Sequence, residues 1–392
     1  MHDIIPSRSR ILFFRQGAFS YTNDRLTRSL AQEFSDLDIV EIDILRDVVK
    51  PLSSVVFRGA AAAALTYLPR ILAGDHNYYN LFFRTPFIFN AIRRIIATKY
   101  APLARTALFS IQTQSLYDAR IDGLPHFLYT DHTHLANLNY PGANTSQLAA
   151  RSWIKLESSI YHRVRKNLVM SGFVRDSLTN DYSCDRSRVS VVGASPNLTP
   201  NGAPLNNADY TNRTILFIGI DWERKGGPIL LSAFRKVLDR IPDARLIIVG
   251  ASPRVDLPNV EILGRLPLAE IPPLILRSSL FAFPSLREPY GIAAIEALMH
   301  GIPVVATNIG ALPEIVEDGV SGRIIPPGDV NALAETLISL ISDPALLRRY
   351  GAAGQQSARA RFSQDIVTRR LGDAIRSSLP ASASLPAITT AG

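Results

Sequence analysis

The sequence predicts an α/β protein built from two doubly wound domains, each a parallel sheet covered by helices, facing one another across a central cleft. Three observations carry that expectation. Short apolar runs alternate with segments of helical periodicity along most of the 392 residues, which is the pattern of parallel strands joined by helices. An aperiodic stretch rich in Asn, Pro, Gly and Ala, ASPNLTPNGAPLNNADYTN from Ala194 to Asn212, separates two such blocks. At roughly 100–200 residues per domain, the length suits two to three domains.

In the first block RILFFR (Arg10 to Arg15) reads as a strand. Leu26, Leu30 and Phe34 follow at helical spacing, and DIVEID (Asp38 to Asp43) alternates apolar and polar residues like a second strand. HFLYT (His126 to Thr130), NLVMS (Asn167 to Ser171) and RVSVV (Arg188 to Val192) are further strands. Trp153, Glu157 and Tyr161 share one helix face and read as packing. Beyond the linker, TILFIG (Thr214 to Gly219) is a buried strand, and Ile229, Leu230, Ala233, Phe234, Val237 and Leu238 form a helical stripe. RLIIVG, VEILG, LFAFP, PVVAT and GRIIP, between Arg245 and Pro326, complete the second sheet. IIVGAS (Ile247 to Ser252) lacks the glycine spacing of a dinucleotide fingerprint. The boundaries that follow are a first domain over 1–197, a linker over 198–212, a second domain over 213–363 and a small, polar, disordered tail over 380–392.

Hydrophobic residues make up 47% and charged residues 19%, which excludes a disordered or fibrous chain. The single cysteine, Cys184, excludes a disulfide framework and a thiolate metal cluster. Met1 to Arg10 carries charges and a proline where a signal peptide would have an apolar run. No uncharged apolar stretch approaches the roughly 18–20 residues of a membrane helix. These features lead to the expectation of a soluble or peripheral cytoplasmic protein. The net charge of +8 is concentrated in residues 1–200, with 23 Lys/Arg against 16 Asp/Glu. Within them, residues 48–117 hold eight basic side chains and one acid, Asp75, interleaved with YYNLFF (Tyr78 to Phe83) and TPFIFNAIRRIIATKY (Thr85 to Tyr100). Such a segment suits an anionic membrane surface. It equally suits a core-facing helix with a solvated basic face. No nucleic-acid-binding motif is present, so no nucleic-acid partner is expected.

The chemistry concentrates in PSLREPYGIAAIEALMHGIPVVAT, from Pro284 to Thr307. A strand ends at Pro284, a loop carries Glu288, and Gly291 opens a helix that holds Glu296. A helix start directs unpaired N–H groups and the positive dipole end at a ligand, which suits phosphate. Glycine there permits close approach. Glu288 and Glu296 are acceptors for sugar and ribose hydroxyls; alternatively they are a helix cap and a surface acid.

EPYGIAAIE has the form Glu-x7-Glu and resembles the signature of retaining nucleotide-sugar glycosyltransferases of the GT-B fold, family 4 (glycosyl transferases group 1). FIGIDWERKGG (Phe217 to Gly227), FAFPSLREPYG, EALMHGIPVVAT and IGALPEIVEDGVSGRIIPPGD follow in family order, and the likeness extends over about residues 150–378. It implies two Rossmann-like domains, acceptor-binding then donor-binding, with a C-terminal helix over 364–379 crossing back onto the first. It implies that Glu288 contacts the donor sugar, that backbone around Tyr290, Gly291 and Ile292 holds sugar and diphosphate, and that Glu296 accepts from ribose. Lys225 would neutralise the departing diphosphate. The family's usual arginine after the strand glycine is replaced by Ile220, and Arg224 is the substitute on offer. RQGAFS (Arg15 to Ser20) resembles the glycine loop facing the donor phosphates, with Gly17 but no second glycine. In YTDHTHLANL (Tyr129 to Leu138), which presents Asp131, His132 and His134, His132 is the candidate near the reacting face and His134 the alternative.

The resemblance therefore implies a retaining hexosyltransferase that needs no metal and no cofactor. Its donor would be a nucleotide-diphosphate sugar, its acceptor a lipid-linked or saccharide hydroxyl in cell-surface polysaccharide or glycolipid synthesis. Peripheral attachment to the inner face of the plasma membrane, through residues 48–117, goes with that expectation. The alternatives are a phosphorylase or epimerase relative and a degenerate sugar-nucleotide-binding module.

Overall fold

A computed structural model describes residues 9–17, 21–50, 53–74, 77–198 and 209–380. Most of the expected linker and the expected tail beyond residue 380 lie outside the described residues.

The first sheet contains β1 (Arg10–Arg15), β2 (Asp38–Asp43), β3 (Ala107–Thr113), β4 (His126–Thr130), β5 (Lys166–Val169) and β6 (Val189–Val191). Its order is β2-β1-β3-β4-β5-β6, parallel throughout. Successive side chains leave a strand on opposite faces. Ile11 and Phe13 of β1 accordingly enter one core while Leu12 and Phe14 enter another. Around this sheet lie α1 (Thr22–Glu33), α2 (Ser54–Leu72), α3 (Tyr78–Phe83), α4 (Pro86–Lys99), α5 (Ala101–Ala104), α6 (Arg151–Arg163) and α7 (Gly172–Asn180).

The second sheet contains β7 (Thr214–Ile218), β8 (Arg245–Val249), β9 (Val260–Gly264), β10 (Leu280–Phe283), β11 (Val304–Thr307) and β12 (Gly322–Ile325). Its order is β12-β11-β10-β7-β8-β9, again parallel. Its helices are α8 (Gly227–Arg240), α9 (Ile271–Leu276), α10 (Ile292–Met299), α11 (Leu312–Ile315), α12 (Val330–Ile341) and α13 (Pro344–Phe362). The chain then returns as α14 (Gln364–Arg376), which packs on α1. Ser29 and Thr368 hydroxyls meet at 2.7 Å, and Arg376 donates to Glu33 at 2.6 Å.

The central strand β3 is not identified from the sequence. It is buried along its whole length, yet Ser110 and Gln112 interrupt its apolar run. Burying them requires partners. Ser110 Oγ meets His126 Nδ1 at 2.7 Å, and Gln112 Nε2 donates to the Tyr117 carbonyl at 2.7 Å. The basic segment 48–117 divides between its two readings. Helix α4 turns Ile88, Phe89, Ile92 and Ile96 into the core. Helix α2 buries Gly59, Ala63 and Tyr67, and a Cβ at Gly59 would strike Ile88. Its opposite face leaves Phe57 63%, Leu65 81%, Leu68 49% and Leu72 79% exposed. By length and composition α2 is also apolar enough to cross a membrane, despite Arg58 and Arg70 within it. Its inner face seats on α4.

The switch between right- and left-going connections falls beside β1 in one sheet and β7 in the other. Ligands of such sheets sit outside the carboxyl ends of the strands at that point. The loops after β1, β4, β7 and β10 therefore form the walls of the interdomain cleft.

The second domain is tied to its own core by close helix contacts. A Cβ on Gly351 of α13 would collide with the Gly301 carbonyl, which already accepts from the Tyr210 hydroxyl at 2.7 Å. Gly351→Ala is expected to lower stability by about 1–3 kcal/mol, read as a drop in Tm of the full chain. An unchanged Tm would show that α13 does not pack this closely.

Candidate active site

One wall of the cleft is formed by the turns after β7 and β10. Lys225 Nζ donates to Glu288 Oε2 and lies 4.4 Å from the Phe283 ring centroid. Their side chains are only 14% and 10% exposed. Desolvation draws the Lys225 pKa below the ordinary lysine value, while Glu288 opposes the shift. Local backbone chemistry brings the two turns together. Gly226 has φ +76°, and a Cβ there would run into the Pro284 carbonyl; glycine is required both for the conformation and for the approach. Leu286 N–H donates to the Arg224 carbonyl at 2.9 Å. Arg224 itself pairs with Asp221 at 3.0 Å, donates to the Arg287 carbonyl at 2.7 Å and comes within 3.7 Å of Glu288. Ile220 is exposed. Arg224, not the position after the strand glycine, thus turns toward Glu288.

Gly291, at φ +114°, leads into α10, so the first amides of that helix, including Ile292, open at the same wall. The Tyr290 side chain leaves the wall, and its hydroxyl accepts from Ala194 N–H at 2.9 Å at the end of the first domain. Glu296 also reaches this junction. Its Oε1 accepts from Asn197 N–H at 2.8 Å and Leu198 N–H at 3.2 Å. Burial pushes the Glu296 pKa up to about 7, against the pull of those two amides and of Arg25. Lys225, Arg224, Glu288 and the start of α10 are therefore brought together, whereas Glu296 and the Tyr290 side chain sit at the domain junction. On the opposite wall Gly17 has φ +59°, and its carbonyl accepts from Asn23 Nδ2 at 2.7 Å. Ala18 to Ser20 of the same turn lie outside the described residues.

The loop after β4 also supplies the opposite wall. His132 lies against Tyr140 and Phe173, with ring centroids 5.7 and 6.1 Å away. Burial lowers its pKa to about 4, so the imidazole is neutral at pH 7, and its Nδ1 has no hydrogen-bond partner. His134 has a structural assignment: its Nε2 accepts from Ala149 N–H at 2.7 Å and its ring meets Trp153 edge-on. Asp131, to which the sequence assigns no role beyond its place beside His132, is held here. Burial, then the nearby Glu288 carboxylate, pushes its pKa up to about 7. A cavity of about 230 Å³ joins Asp131 and His132 to Arg84, Glu157 and Pro289. Glu157, whose helical spacing reads as packing, accepts from Ser115 and Tyr161 hydroxyls at 2.9 Å and from His134 N–H at 3.2 Å. Among the described residues no three His, Cys, Asp or Glu side chains are grouped to hold a metal ion.

Two doubly wound sheets facing across such a cleft define the GT-B class. Residues 212–343 match the family described as "Glycosyl transferases group 1". Among curated relatives it is 29% identical over 205 residues to a phosphatidyl-myo-inositol mannosyltransferase of Mycobacterium leprae, covering 47% of this chain and 54% of that protein. It is 31% identical over 231 residues to a D-inositol 3-phosphate glycosyltransferase of Segniliparus rotundus, covering 53% and 51%. The chain thus spans about half the length of the curated relatives it matches. Among solved structures, a sucrose-phosphate synthase of Thermosynechococcus elongatus superposes with a TM-score of 0.67, covering 94% of this chain and 99% of that one at 17% identity. That likeness is one of fold.

The raised pKa of Asp131 makes stability depend on pH. Its unfolded value is about 3.9, so between there and about 7 the folded chain binds more protons than the unfolded one. Its contribution is complete below the unfolded value and is lost as pH rises through 7. Asp131→Asn should therefore raise Tm at pH 8 and change it little at pH 4.5. An equal gain at both values, measured by thermal denaturation, would rule out a carboxyl neutralised by burial.

Proposed function

We propose that this protein is a retaining hexosyltransferase that moves a sugar from a nucleotide diphosphate to a hydroxyl of a lipid-linked or glycan acceptor. The observation that carries this reading is the largely buried Lys225–Glu288 pair beside the start of α10, at the carboxyl ends of β7 and β10. As the anomeric C–O bond to the diphosphate breaks, negative charge grows on the departing oxygen. Lys225, Arg224 and the amides of Gly291 and Ile292 are the groups assigned to stabilise it, in a closed site where such fixed charges act strongly. They supply the positive charge for which other transferases use a metal, and no cofactor enters the reaction. The acceptor oxygen forms the new bond on the face from which the diphosphate leaves, and its proton passes to a diphosphate oxygen. Glu288 orients sugar hydroxyls and makes no covalent bond. Glu296 receives ribose hydroxyls through its remaining acceptor capacity, and Gly17 faces the diphosphate. His132, as a neutral imidazole, exchanges one hydrogen bond with the sugar.

The same proposal places the protein on the inner face of the plasma membrane. The exposed apolar face of α2, with Arg58 beside it and eight bases to one acid across residues 48–117, complements an anionic lipid surface. The relatives named for phosphatidyl-inositol and inositol-phosphate acceptors support a glycolipid or related acceptor.

A panel of uridine-, guanosine- and adenosine-diphosphate sugars tests the donor site by thermal shift. One nucleotide class should stabilise the fold, by about 2.7 kcal/mol at a hundredfold excess over Kd. Glu288→Gln should retain a folded chain and lower transfer roughly 100- to 1,000-fold. No shift with any nucleotide would refute the reading. For the membrane surface, the triple change Phe57→Ser, Leu65→Ser, Leu72→Ser should abolish flotation with anionic vesicles and leave nucleotide binding intact. Equal flotation of wild type with neutral and anionic vesicles would exclude charge-dependent docking.

A further inference from the structure

We infer that the acceptor carries a phosphate, and that Arg84, Arg70 and Arg287 seat it in a second pocket adjoining the reacting cleft. This deepens the transferase reading and rests on it for the word acceptor; the anion site itself stands on geometry. The pocket, of about 320 Å³, shares Asn80, Arg84, His134 and Asn137 with the cavity at Asp131 and His132. Three guanidinium groups line it from separate elements: Arg70 from the last turn of α2, Arg84 from the residue after α3, and Arg287 from the loop that carries Glu288. No Asp or Glu is among its described lining residues. The rest of the polar lining is His134 and amide side chains, suited to hydroxyls.

Arg84 is the informative member. Its guanidinium lies 5.9 Å from the Trp153 ring centroid, and its buried Nε has no hydrogen-bond partner. Burial draws its pKa down, Arg70 and Arg287 draw it further, and Glu157 opposes them. Glu157, however, is already engaged by Ser115, Tyr161 and Tyr182. Arg287 lies over Tyr140 at 5.8 Å. A buried donor left unmatched, as Arg84 Nε is, is costly. A phosphate meets it, because guanidinium forks fit its oxygens bidentately. Its bearer is a polyol phosphate, free or as the headgroup of a lipid. Because Arg287 directly precedes Glu288, the anion would lock the donor-side loop against the acceptor-side wall.

The test uses the full chain, with glycerol 3-phosphate as probe and glycerol as its neutral counterpart, in calorimetric titrations. Glycerol 3-phosphate should bind saturably and glycerol should not. Arg287→Gln, at an exposed position, and Arg84→Lys, which keeps the charge but loses the fork, should each weaken binding about tenfold or more. Vesicles containing phosphatidylglycerol distinguish the sources. Displacement of the probe assigns the phosphate to a lipid headgroup, and binding of the probe without displacement assigns it to a soluble acceptor; both support the site. Equal affinity for glycerol and glycerol 3-phosphate, or unchanged affinity in both variants, overturns it. Nucleotide-sugar shifts on the same samples separate the two readings: their loss in wild type sinks the transferase, not the anion pocket.

Discussion

Moving a lysine and a glutamate out of water costs several kcal/mol per ion, and only close pairing offsets it. Lys225 and Glu288 are held in that state by backbone, not by side-chain choice. Gly226 can lie against the Pro284 carbonyl because it has no Cβ. Gly310 likewise lies against the Glu288 carbonyl, where a Cβ would collide. Leu286 N–H on the Arg224 carbonyl, and Ala311 N–H on the Pro289 carbonyl at 3.2 Å, close the arrangement. The turns after β7, β10 and β11 therefore form one unit around a single ion pair. Removing one partner leaves the other charge buried and alone, which destabilises by about 3–5 kcal/mol. Gln at 288 also removes the counter-charge, but it fills the same space and keeps an amide oxygen that can accept from Lys225 Nζ, which is why Gln, not Ala, is the informative substitution.

The same unit reaches across to the first domain. Tyr290, two residues after Glu288, sends its hydroxyl to Ala194 N–H. Glu296, on the second turn of α10, accepts from Asn197 and Leu198. Glu314 of α11 accepts from Gly172 and Phe173 N–H at 2.7 and 2.6 Å, at the start of α7. Amides at a helix start favour a carboxylate, so this contact is electrostatic as well as geometric. Gln364 donates to Ser29 at 2.8 Å and accepts from Ser195 at 2.6 Å, so α14 fastens the chain crossing to α1. Loop geometry around the pair and the relative placement of the two domains are consequently one problem.

How much of this was legible depended on whether the signal was local. Strands such as RILFFR and TILFIG, buried on both faces, announce themselves by composition. The loop–helix EPYGIAAIE announces itself by spacing. β3 was not legible because Ser110 and Gln112 look polar until His126 and Tyr117 are brought to them. The split of residues 48–117 was not legible either: α2 and α4 have similar composition, and only the seat of Gly59 on Ile88 decides which face is inside. Arg224 could be named as a substitute for the missing arginine, but its direction follows from Asp221 and the Arg287 carbonyl. Arg70, Arg84 and Arg287 are scattered over more than two hundred positions, and no periodicity connects them.

The cleft consequently has an uneven charge layout with chemical meaning. At one end Lys225 and Arg224 face the side where a diphosphate would depart. At the other, three arginines surround a pocket with no acid among its described lining residues. Between them, Asp131 has a carboxyl pushed toward neutrality, with Glu288 as the like charge that helps to push it. A negative ligand at either end is attracted by cations, whereas a hydroxyl-bearing centre between them meets a neutral imidazole and a carboxyl poised near neutral pH. That division would let two anionic groups lie in the same cleft without confronting each other, which an evenly basic cleft would not enforce.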